Sequence, residues 1–121
     1  MSCKRLSTLL ALVLVATVMA QKKYYAPEDV PNVQLQNKNR YLSDPARFID
    51  AASAAHIDST LQNVRTATSV QAAVVVLPYM AGNADVDTYA TELFTLWGLG
   101  DKKKDNGLLV LVSEGDRKYT I

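Results

Sequence analysis

Two short apolar runs, rich in β-branched residues and separated by one amphipathic stretch, restrict this chain more than any other feature. The first runs from Gln71 to Leu77 and is closed by Pro78; the second runs from Leu108 to Val112. Neither shows the polar/apolar alternation of a strand with one wet face. Both therefore read as strands covered on both sides, the kind that parallel sheets use. Between them Val86, Tyr89, Ala90, Leu93, Phe94 and Trp97 recur with helical spacing and form one stripe. Asp85 is placed to cap that helix, and Gly98 to end it in the left-handed conformation other residues avoid. Strand, helix and strand of this kind close as a right-handed crossover with parallel strands.

The flanks extend the pattern. Asp44-Pro45 reads as a helix start, with the carboxylate capping and the proline at the first helical position. Ile49, Ala54, Ile57, Leu61 and Val64 then supply a buried stripe, which predicts a helix from about Pro45 to about Thr66. Residues 21–34 form a proline- and amide-containing leader, expected as an extended arm with a short strand at Val33–Leu35. Beyond the second apolar run, Ser113 to Asp116 is a turn, and Arg117 to Ile121 opens a third strand as its hairpin partner. The expected fold is an α/β (α+β) sandwich, with a central mixed sheet and helices packed on it, over residues 35–121. The chain stops where the third strand is starting, so it reads as a fragment cut inside that strand.

The first twenty residues belong to a different category. Lys4 and Arg5 precede an uninterrupted apolar run, Leu6 to Ala20, that is short for a bilayer span. This is the pattern of a secretory signal peptide cut between Ala20 and Gln21, with a retained membrane anchor as the competing reading. The protein is expected to be exported, to the periplasm or the extracellular space. The single cysteine, Cys3, would leave with the leader, which excludes a disulfide framework or a cysteine-rich metal site. The net charge of +1 for the whole chain becomes −1 without Lys4 and Arg5, and nothing in that balance suits a nucleic-acid partner.

One segment carries a resemblance. Trp97-Gly98-Leu99-Gly100, followed by Lys104-Asp105-Asn106-Gly107 and an apolar strand, is similar to the TPM domain of thylakoid-lumen, bacterial envelope and nematode membrane proteins. The likeness spans roughly Leu35 to Ile121. It implies an α/β sandwich with a mixed sheet. Members of that family include acid phosphatases, calcium binders and accessory proteins of membrane complexes, many with a membrane span further along the chain. For this chain the resemblance implies an exported accessory module that works with a membrane protein complex, with a membrane anchor downstream in the full-length protein. The alternative it implies is a metal-assisted acid phosphatase acting on phosphomonoesters. Two departures weaken the enzyme reading: Asn37 stands where the family often has aspartate, and an acidic Gly-Tyr-Gly stretch is missing.

The candidate ligands fall into two groups. The resemblance favours Asp105 and Asn106, with Asn37. The residues themselves favour another set: in a parallel crossover Asp44, Asp85, Asp87, Glu114 and Asp116 collect at the carboxyl edge of the strands, where open α/β sheets bind ligands. Oxygen-only donors suit Ca²⁺ or Mg²⁺. The competing reading makes Asp44 and Asp85 plain helix caps, leaves the other three acids in water, and makes Asp105-Asn106 a turn held by its own hydrogen bonds. His56 is the only histidine, which argues against a zinc site or a Ser–His–Asp triad. No Gly-Lys-Ser/Thr follows the glycines, so the loop is no P-loop. Lys102, Lys103 and Lys104 read as a solvated loop, with attraction of a phosphate as the other reading. Trp97 reads as a core plug, with a ligand platform as the other reading.

Overall fold

The computed structural model describes residues 22–82 and 85–121; the expectation of a signal peptide at residues 1–20 lies outside them. The predicted crossover is present. Strands β2 (Gln71–Leu77) and β3 (Gly107–Ser113) pair in parallel over their whole length, from Gln71 opposite Gly107 to Leu77 opposite Ser113. Helix α2 (Val86–Trp97) connects them. Asp85 caps it as expected, accepting from the Thr88 N–H at 2.9 Å, and Gly98 ends it at φ 61°. The hairpin strand β4 (Lys118–Thr120) runs antiparallel to β3, with Tyr119 opposite Val112.

The first third of the chain departs from expectation. A strand absent from the sequence reading, β1 (Leu42–Ser43), pairs in parallel with Val74 and Val75 and completes a mixed sheet of order β1-β2-β3-β4. Val33–Leu35 is one 3₁₀ turn rather than a strand, closed by Leu35 N–H on the Asn32 carbonyl and Asn37 N–H on the Val33 carbonyl. The helix expected from Pro45 begins six residues later: α1 spans Ala51–Thr68. Its cap is Asp50, whose two oxygens accept from Ser53 N–H at 2.8 Å and Ser53 O–H at 2.9 Å. Asp44 caps a tight turn instead, accepting from Phe48 N–H at 3.1 Å and Ile49 N–H at 2.8 Å. With those amides taken, and Arg47 forced to φ 57°, the chain reverses before the helix can start.

The two faces of the sheet are covered unequally. On one, Ala73, Val75, Leu77, Leu109 and Leu111 meet Tyr89 and Leu93 of α2 and form the core, with Phe94 and Trp97 packed at its margin. The plug reading of Trp97 agrees with this packing. The leader seals the same core: Tyr25 and Val30 are buried, and Tyr25 bridges to Met80. On the other face α1 packs over β1 and β2. Its stripe of Ile57, Leu61 and Val64 is only half-buried, and beside it Leu108 and Tyr119 remain exposed, Tyr119 at 74%.

Candidate functional site

The carboxyl edge of the parallel strands is built by three loops. The turn after β3 is tied to the end of β2 by Glu114 N–H on the Leu77 carbonyl (2.8 Å) and Gly115 N–H on the Pro78 carbonyl (2.7 Å). The approach is so close that a Cβ at 115 would overlap the Pro78 carbonyl oxygen and the Tyr79 ring. Asp116 locks the junction: one carboxylate oxygen accepts from Met80 N–H at 2.9 Å and from the fully buried Ser113 hydroxyl at 2.7 Å. The Met80 amide, then the Ser113 hydroxyl and the Lys118 charge, hold the Asp116 carboxyl below the ordinary aspartate range, against a smaller opposing effect of burial. The leader closes the third side, where the Tyr89 hydroxyl donates to the Tyr25 carbonyl at 2.6 Å. Burial and the nearby Glu28, Asp29 and Glu92 push the Tyr89 phenol upward, so it stays a neutral donor.

This junction yields a pH prediction. A carboxyl with a lowered folded value adds stability that is fully present above the unfolded aspartate value, about 3.9, and lost as pH falls through the folded value. Asp116→Asn is expected to cost about 1 kcal/mol at neutral pH, discounted for a largely solvent-screened group. In urea unfolding of both proteins the gap should hold above about pH 5 and close below about pH 4. A gap that persists unchanged to low pH would show that the charge on Asp116 does not matter.

The five acids predicted for this edge do not converge. Asp85 spends both oxygens on Thr88, whose amide and then hydroxyl lower its pKa. Asp87 accepts from the Thr120 hydroxyl of β4, beside a groove of about 350 Å³ lined by Phe94, Gly107 and Leu109. Asp44 is engaged by its own turn, and Glu114 is exposed. Among the described residues no three acidic, histidine or cysteine side chains are grouped to hold a metal ion.

Asp105 and Asn106 lie at the opposite edge, in the loop from Gly98 to Gly107. Asn106 is the joint of this loop: its Oδ1 accepts from Asp101 N–H at 2.6 Å, its Nδ2 donates to the Ser69 carbonyl at 2.7 Å, and its own carbonyl accepts from Gln71 N–H at 2.8 Å. Asp101 turns inward to Lys103 N–H at 2.8 Å, and Gly100 N–H reaches Gln71 Oε1 at 3.2 Å. Asp105 adopts φ 51° and is exposed, as are Lys102, Lys103 and Lys104. Asn37 accepts from Asn39 N–H at 3.0 Å within its own turn. His56 is exposed on α1.

The family model described as the TPM domain matches residues 42–121, from β1 to the last residue of the chain. The chain belongs to the TPM-domain family. The solution NMR structure of the N-terminal domain of a protein from P. gingivalis is similar to it, at 35% identity and a TM-score of 0.72. That likeness covers 80% of this chain and 61% of the P. gingivalis chain. No curated protein matches. The matched region of the TPM domain begins at β1, the strand that the sequence reading missed.

Two residues that organise this TPM domain also escaped the sequence reading. Asp58 accepts from Tyr41 N–H at 2.7 Å and Leu42 N–H at 2.9 Å, which fastens β1 to α1. Asp50 is the true helix cap. For Asp58 a signal was present: an acid between Ile57 and Leu61 on an apolar stripe needs a partner.

Proposed function

We propose that this TPM domain is an exported interaction module that helps maintain a membrane protein complex of the envelope. The supporting observation is the uncovered half of the second sheet face, where Leu108 and Tyr119 are exposed next to the half-buried stripe of α1. Apolar surface of this kind, flanked by polar loops, marks contact sites. Export rests on Lys4, Arg5 and the apolar run to Ala20, and a membrane anchor further along a longer protein would fit the same setting. The phosphatase alternative draws on the family resemblance alone, since Asp44, Asp85 and Asp116 direct oxygens to the protein's own N–H and O–H groups. The test is photo-crosslinking in the producing cell. A crosslinker at position 119 or 108 should capture an envelope protein that one at position 102 does not. Equal capture from all three positions, or phosphomonoester hydrolysis abolished by Asp87→Asn, would overturn the reading.

Divalent-cation binding stays within this proposal as a weak contribution from exposed carboxylates such as Glu114 and Asp105. Ca²⁺ or Mg²⁺ would be preferred over Zn²⁺ because the donors are all oxygens. Near its dissociation constant such a ligand adds little stability, so millimolar Ca²⁺ against chelator should move the melting temperature by less than about 2 °C. A larger rise, lost in Glu114→Gln, would point to a convergent site at the carboxyl edge.

A further inference from the structure

We propose that Asn106 is a site of spontaneous deamidation, held in check by the fold and exposed to reaction whenever the loop from Gly98 to Gly107 opens. The packing itself creates the labile pair. A Cβ at position 107 would stand 2.6 Å from Phe94 Cζ and 2.7 Å from the Leu99 carbonyl oxygen, so only glycine fits. Asn106 is therefore followed by a residue with no side chain to shield its amide nitrogen. Hydroxide removes the Gly107 amide proton. The nitrogen attacks Asn106 Cγ, a new N–Cγ bond closes a five-membered succinimide, and the Cγ–Nδ2 bond breaks. The departing nitrogen takes a proton from water and leaves as ammonia. Water then opens the ring, at Cγ to give aspartate or at the main-chain carbonyl to give isoaspartate. The net change is amide plus water to carboxylate plus ammonium, and no oxidant or reductant is needed.

In the folded chain three contacts oppose ring closure. Oδ1 is held by Asp101 N–H, Nδ2 by the Ser69 carbonyl, and the main-chain carbonyl by Gln71 N–H. The succinimide cannot form until both the side chain and the main chain of Asn106 rotate, which requires these contacts to release together. Once formed, the product cannot restore them. A carboxylate at 106 still accepts from Asp101 N–H, but it has no hydrogen to give the Ser69 carbonyl. Isoaspartate also lengthens the main chain beside the Gly100–Gly107 contact, which has no space for even one added carbon. Deamidation thus acts as a one-way release of the α2–β3 loop from the start of β2, and its rate reports how often that loop opens.

The experiment ages the full chain in mildly alkaline buffer and follows residue 106 by peptide mass spectrometry. Native chain is compared with chain in denaturing urea and with native Gln71→Ala, which removes the side chain that receives Gly100 N–H. Because local hydrogen bonds of ordinary strength must open first, the native rate should be at least about tenfold below the urea rate. Gln71→Ala should fall between them. Equal rates in native and urea samples would overturn the proposal, as would faster native deamidation at Asn37 or Asn39 than at Asn106. Asn106→Asp gives a second readout: its Gln71 amide should exchange with solvent faster than in the parent, and unchanged protection would overturn the predicted release.

Discussion

Gly100→Ala is expected to destabilise the domain by at least about 3 kcal/mol, whereas Gly98→Ala and Gly82→Ala should each cost about 1 kcal/mol. All three glycines have positive φ, at 79°, 61° and 78°, so the backbone penalty for an L side chain is similar. Their surroundings differ. A Cβ at 82 or 98 meets nothing within 4 Å, whereas one at 100 would overlap the Gly107 main chain and come within 3.1 Å of the Asn106 carbonyl carbon. Main chain cannot rotate away as a side chain can. The loop must shift, and with it go the contacts of Asn106 with Asp101, Ser69 and Gln71. Thermal melts of the three variants separate the two costs. Equal melting temperatures for Gly98→Ala and Gly100→Ala would show that the close approach at Gly107 carries no weight.

Asp58→Ala should be comparably damaging, at about 3 kcal/mol and a fall in melting temperature of roughly 15 °C. The residue is a half-buried helix acid, and on the surface its loss would be nearly silent. Its Oδ1, however, takes the amides of Tyr41 and Leu42, which are 1% and 3% exposed. Truncation leaves two buried donors unsatisfied at the edge of the sheet, and each costs on the order of 1–3 kcal/mol. β1 is only two residues long and has β2 on one side only, so it should detach first. Hydrogen exchange would show this as lost protection at the Val74 amide, which donates to the Tyr41 carbonyl, while the centre of β2–β3 stays protected. Asp58→Asn keeps an acceptor oxygen and should recover most of the loss. A melting temperature for Asp58→Ala within about 3 °C of the parent would refute the clamp, since the two buried donors predict a far larger drop.

These two variants also mark where local reading stops. Asp44-Pro45 and Asp50 both offer capping chemistry for one helix. The sequence reading saw only the first, yet Asp44 turned its oxygens to the amides of Phe48 and Ile49 instead. Asp58 carried a visible anomaly, an acid on an apolar stripe, but not the identity of its partners sixteen and seventeen residues away. The candidate ligands behaved alike. Their positions at two opposite sheet edges followed from the parallel crossover, whereas the partner of each carboxylate did not.

From the sequence alone came β2, α2, β3 and β4, the two ends of α2, the order of strands around the crossover and the family. Each rests on information a few residues wide: an apolar run, a stripe with helical spacing, an aspartate before it and a glycine after it. Tertiary structure alone decided β1, the start of α1, the inward use of Asp116, Asp58 and Asn106, and which sheet face stays partly bare. The physical reason is that a two-residue strand has no periodicity and exists only through Val74, Val75 and Asp58. Likewise a carboxylate's role depends on which donors the fold brings within about 3 Å of it, and chemical type alone leaves that open.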